Sequence, residues 1–221
     1  MSPNLRKLAL AIHTTLSLGW VGAVAAYLVL VVAAMVSDDS QVLRSAWVAM
    51  ELLGSNLLIP LSFASLLTGL AMSIGTRWGL FRHYWVVVSL VLTVIAAAVL
   101  LQHMQTVSIF AGMAAEADSS AVAELRVGLQ GELLHAGCGL LVLLIVQLLN
   151  VYKPKGMTPY GRRTVGLATS PSPSGGGAAL VRTGNMSTGV PRWVAMVGFH
   201  AFGLVVLFVA AHLINGGHPR H

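Results

Sequence analysis

Five stretches of this chain stay apolar long enough to cross a bilayer. A helical residue rises about 1.5 Å and the hydrocarbon core is about 30 Å thick, so a span needs about 20 mostly apolar residues. The pattern predicts spans at Leu8–Val36, Leu52–Thr76, Tyr84–Ala115, Leu133–Tyr152 and Trp193–Asn215. Backbone N–H and C=O groups must be satisfied internally in lipid, which leaves helices or a closed barrel. The short alternating segments of a barrel are absent, so all five are expected to be helical. The first run is about twice the length of a secretory apolar core and contains His13, Trp20 and Tyr27, so it reads as a retained span.

Polar positions inside these runs recur at helical spacing. In the second span Glu51, Ser55, Ser62, Ser65, Gly69 and Ser73 form one small and polar stripe, and Pro60 predicts a kink. His13, Ser17, Trp20 and Tyr27 line a stripe on the first span, interrupted by Val24. The third carries Trp85, Ser89, Thr93, Ala96 and His103, and on the fourth His135 and Gly139 share a face. Such stripes are the ordinary seams by which membrane helices associate.

The expected fold is therefore an all-α integral membrane protein, with a four-helix bundle over residues 1–163 and a tethered fifth helix. Residues 164–191, rich in Ser, Gly, Thr and Pro, read as a flexible cytoplasmic linker. Residues 192–221 would supply the fifth span and a short external tail containing His218 and His221. The segment from Ala114 to Arg126 is expected as an external loop with a short surface helix.

Composition agrees with a membrane class. Of 221 residues 56% are hydrophobic and only 9% charged, far from the roughly 25% charge of soluble domains. The net charge of +6 does not suggest nucleic acid, because the cations flank apolar runs instead of clustering on a soluble face. Ten of the 13 Lys and Arg residues fall on the N-terminal side of the spans, against Arg44, Arg126 and Arg220 on the other. The positive-inside rule then puts the N-terminus in the cytoplasm of a bacterial cell and the C-terminus outside its plasma membrane. All seven acids, Glu51 and Glu132 included, are expected at the external face. The lone Cys138 offers neither an intramolecular disulfide nor a paired-cysteine metal motif.

Candidate chemistry rests with the histidines, since ionisable residues within spans are rare and point to function. Five of the eight lie in spans. His13 and His200 form an inner pair that could ligate one haem b; His103, His135 and His212 form an outer trio. His200 and His212 are 12 residues apart, about 18 Å in rise but about 120° in angle, which disfavours two haems stacked on the fifth helix. Met104 and Cys138 lie near the outer trio, a mixture suited to copper. Glu132, one turn before His135, could bind a metal or orient the ring. No nucleophile elbow, phosphate loop, zincin motif or dinucleotide fingerprint occurs, so the chain is read as non-enzymatic.

The block Ser65-Leu-Leu-Thr-Gly69, the run Gly75-Thr-Arg-Trp-Gly-Leu-Phe-Arg-His-Tyr-Trp85 and the exit Tyr152-Lys-Pro-Lys-Gly-Met-Thr-Pro-Tyr-Gly161 resemble actinobacterial multi-pass membrane proteins of uncharacterised function. More distantly, this region with His13 and Gly19-Trp20-Val-Gly22 is similar to copper-resistance D-type membrane domains. That second resemblance implies copper handling, with His13 and His103 the matching positions. Ser89 stands where a lysine is often found, and no periplasmic copper-binding domain accompanies the spans. Two function classes emerge: a bundle binding copper or one haem for metal handling or electron transfer, and a cofactor-free scaffold docking a membrane partner or a second copy. A redox-enzyme subunit is a third.

Overall fold

A computed structural model describes residues 2–75, 79–116, 121–168, 192–197 and 203. It contains α1 (Pro3–Val36), α2 (Ser40–Leu53), a π turn (Gly54–Leu58), α3 (Ile59–Gly75), α4 (Tyr84–Ala115), α5 (Val122–Tyr152) and α6 (Pro159–Ala168). The α2–π–α3 stretch is one continuous helix. Four helices, Pro3–Val36, Ser40–Gly75, Tyr84–Ala115 and Val122–Tyr152, are long and apolar enough to cross a membrane. The chain is a multi-pass membrane protein. Large apolar side chains such as Leu18, Val29, Leu67 and Leu148 cover the outside of the bundle, the surface that bilayer lipid would contact.

Each long helix packs on its chain neighbours and α5 closes the ring against α1. That is the up-down arrangement short connections favour. The fifth span expected at Trp193–Asn215 falls outside the described residues except for a helical turn at 192–197. There Trp193 and Val197 pack beside Leu92, Val146 and Leu149, and Trp193 Nε1 donates to the Lys155 carbonyl at 3.0 Å. Helix α6 continues to Ala168, five residues into the stretch read as linker.

Two boundaries differ from the expected ones, for one reason. The second and fourth spans were expected to begin at Leu52 and Leu133, yet helix begins at Ser40 and Val122. Gln, Arg and Glu residues dilute both extensions, and Ser40 and Ser45 the first as well, so an apolar window starts late. Their inward faces are nonetheless apolar: Leu43, Ala46, Trp47 and Met50 on α2, Leu125 and Leu129 on α5. With Val31 and Ala34 of α1 and Val107 of α4 they build a closed core at the end opposite the N-terminus. Trp47 stacks on Phe110 with centroids 4.7 Å apart, and its Nε1 donates to the Leu125 carbonyl at 3.2 Å. The expected external loop shrinks accordingly, because α4 runs to Ala115 and α5 resumes at Val122.

The expected kink at Pro60 takes the form of a π turn just before it. Proline has no N–H to bond back and its ring crowds the carbonyl four residues earlier. The chain answers by widening, and the Ile59 N–H bonds the Gly54 carbonyl five residues back. One inserted residue rotates the remainder of the helix by about 100°. The stripe expected to run from Glu51 to Ser73 is thereby split: Ser62, Ser65 and Ser73 are buried, whereas Ser55 is exposed. Glu51 instead accepts a hydrogen bond from Ser108 Oγ of α4 at 2.7 Å.

At the N-terminal end the α3–α4 and α5–α6 connections pair with each other. His83 bridges Met157, the Thr158 N–H donates to the Arg82 carbonyl at 3.0 Å, and the Tyr84 N–H donates to the Gly156 carbonyl at 3.3 Å. The Thr158 hydroxyl bonds the Phe81 carbonyl. These connections are the later two of the three blocks that resemble actinobacterial membrane proteins, and a backbone latch joins them. Gly161 sits directly on it, where a Cβ would run into the backbone carbonyl of Arg82. Gly161→Ala is therefore expected to destabilise the protein by about 1–3 kcal/mol. Thermal unfolding in detergent checks this; an unchanged midpoint would show that the latch contributes nothing.

A buried carboxylate, tyrosine and histidine pair

Glu132 is the most consequential residue of the interior. Expected at the external face, it instead lies ten residues inside α5, about 15 Å from the helix start, and is 2% exposed. An ionised carboxylate without partners is expensive to bury. Two partners converge on one of its oxygens. The Tyr27 hydroxyl of α1 donates to Oε2 at 2.6 Å, and His103 Nε2 of α4 lies 3.0 Å from the same atom. Glu132 orients the ring of His103 and not, as its spacing suggested, that of His135.

His135 completes the cluster from the next turn of α5. Its ring lies over that of His103 with centroids 3.7 Å apart and planes 11° from parallel, and its Nδ1 donates to the Gly131 carbonyl at 3.3 Å. Four side chains from three helices thus form one unit. A proton can sit on His103 or on Glu132 with the pair's net charge unchanged, which matters where charge is costly.

The cluster lies at the polar end of a cavity of about 260 Å³ among α1, α4, α5 and the π turn. Apart from Gln102 the rest of its wall is apolar, with Trp20, Leu58, Leu92, Val99 and Val142 among the lining residues. Exposed Ile95 and Gln102 with half-buried Cys138 mark the side between α4 and α5. An apolar chamber with a few convergent polar groups is the usual form of a small-molecule site.

Of the expected ligands, His103 and His135 are brought together, and Met104 and Cys138 line the same cavity. Met104 also fills the space left by Gly54, so its thioether has a packing role. Face-to-face imidazoles hold their in-plane lone pairs in two separate, nearly parallel planes, which does not aim both rings at one ion. Among the described residues no group of three or more His, Cys, Asp or Glu side chains is disposed to hold a metal ion. His13 stands apart: its Nδ1 lies 3.0 Å from Thr68 Oγ1 on α3, above the Ser17–Ser65 hydroxyl pair at 2.8 Å. Gly69 makes room for that ring, since a Cβ there would stand 3.0 Å from His13 Cε1. His200 and His212 lie outside the described residues.

Tyr27 is the member that sequence reasoning missed as a functional group. The available signal was the α1 stripe, which places it two turns beyond Trp20. No protein-family model matches the chain, and no curated protein or solved structure does either.

Tyr27→Phe and His103→Ala each withdraw one partner from a buried carboxylate, so each is expected to cost about 1–3 kcal/mol. Because both act on Oε2, the cost of the double variant should depart from the sum, which a double-mutant cycle of denaturation free energies in detergent measures. Strict additivity would mean that the three side chains do not act as a unit.

Proposed function

We propose that the protein is a membrane proton-exchange protein whose working unit is Tyr27–Glu132–His103, backed by His135. In this reading the unit serves a lipophilic small molecule carrying a hydrogen-bonding head. The molecule enters between α4 and α5, lodges its body among the apolar side chains and presents its head to Glu132. The supporting observation is a buried carboxylate with a phenol and an imidazole on one oxygen, facing an otherwise apolar chamber. A proton can pass between Glu132 and the head of the ligand, and the charge this leaves on the carboxylate is held by the hydrogen bonds from Tyr27 and His103.

Trp20 lines the chamber and reports on its occupancy. A short-tailed benzoquinone should quench its fluorescence saturably, and Trp20→Phe should remove that component. Val142→Trp, which fills the chamber, should weaken binding at least 10-fold. Infrared difference spectra over a pH step should contain a carboxyl band that vanishes in Glu132→Gln. Quenching that does not saturate, with no such band, would sink the proposal.

A second reading keeps copper or a single haem b, used in metal handling or electron transfer. It draws on His103, His135, Met104 and Cys138 lining one chamber, with His212 as an addition and His13 with His200 as the alternative haem pair. Protein purified from cells supplied with haem and copper would then show a Soret band or bound copper, lost in His103→Ala and His135→Ala. A preparation free of both removes this reading and leaves the first untouched. The cation bias supports a cytoplasmic N-terminus. A fluorescent reporter fused after His221 should accordingly stay dark if exported unfolded to the outer side.

A further inference from the structure

The half of the bundle nearer the N-terminus holds a second and larger cavity, about 650 Å³, among α1, α3, α4 and α5. Its chemistry is different from that of the chamber around Glu132. The charged residues that line it are Arg6, Lys7 and Lys153, all positive and all at the end of the bundle. Among the described residues no acid lines it; Glu132 lines the other chamber, beyond Trp20, which both cavities share. His13 is the remaining titratable group on the wall. The other polar groups on a largely apolar wall are the amides of Gln147 and Asn150 and hydroxyls, among them those of Ser17, Ser65, Ser89 and Thr93.

Ser89 adds an independent indication. It is 7% exposed, and its Oγ has no hydrogen-bond partner among the described residues although it lines the cavity. Most helical serines and threonines satisfy the hydroxyl on a carbonyl three or four residues back, as Ser62, Ser73 and Thr93 do here. A buried hydroxyl left open costs about 1–3 kcal/mol unless something else completes it. It lies five residues into α4, about 7.5 Å along the helix from its start, and lines the same cavity as the three cations.

We infer that this cavity is a binding site for an oxyanion of the phosphate type, clamped by Arg6, Lys7 and Lys153 and hydrogen-bonded by Ser89. A wall that carries three cations and no acid favours an anion, and hydroxyl donors complete its oxygens. The phosphate belongs either to an anionic lipid headgroup or to a soluble compound; the recognising chemistry is the same. The site is independent of the proton-exchange reading, since it shares no polar group with it.

The full chain in phosphatidylcholine nanodiscs, titrated with inorganic phosphate, provides one arm. A parallel series of discs with increasing phosphatidylglycerol provides the other, and Trp85 fluorescence with the unfolding midpoint gives the readout. A saturable response to phosphate identifies a soluble ligand; a response to phosphatidylglycerol alone identifies the headgroup. Ser89→Ala separates this site from general attraction of basic residues to anionic lipid, because Ser89 is neutral and internal. It should weaken the response about 3–10-fold. Since the Ser89 hydroxyl makes no bond among the described residues, the unfolding midpoint of that variant without added ligand should be unchanged or slightly raised. The triple variant Arg6→Gln, Lys7→Gln, Lys153→Gln should abolish the response. Absence of response in both arms overturns the inference, and so does a response that Ser89→Ala leaves at full strength.

Discussion

The constraint on which this architecture turns is the cost of keeping the Glu132 carboxylate away from water. A lone charge at that depth would destabilise the bundle by several kcal/mol. Its oxygen draws Tyr27 from α1 and His103 from α4, so three helices must meet at one level. Register along the bundle is set by that meeting. Apolar helices alone would slide with little penalty in lipid, where leucine faces lipid or protein almost equally well.

The two ends of the bundle then take different characters. Beyond the cluster, away from the N-terminus, Trp47, Leu43, Met50, Val107 and Leu125 are fully buried in a dry core like that of a soluble protein. Towards the N-terminus the seams are hydroxyls and small residues, and a large cavity remains among them, its wall mostly apolar with cations at its mouth. Trp20 stands where the two regimes meet, lining both chambers. The bundle is thus graded from sealed to open along its axis, and the ionisable cluster sits near the change.

Much of the architecture was legible from apolar runs. The third span matched its helix at both ends, and the α1 stripe of His13, Ser17, Trp20 and Tyr27 faces the interior cavities as its spacing implied. What escaped was pairing across helices. Glu132 stood one residue outside an apolar window and so read as a surface acid; only its match in depth with Tyr27 and His103 shows otherwise. His103 and His135 were named together as candidate ligands, but single-chain spacing carries no information about ring orientation. The stacking that keeps their lone pairs in separate planes is a product of how α4 meets α5.

The π turn at Gly54–Leu58 has a consequence for how this protein tolerates change. Because it accommodates one surplus residue, the segment before it and the segment after it keep separate rotational settings on a single continuous rod. Removing one residue there would restore regular winding and swing Trp47 out of its socket, or else tear the serine seam from α1. Length is guarded in this turn together with Gly54 and Leu58: substitutions can accumulate at the exposed Ser55, Asn56 and Leu57, while insertions and deletions cannot.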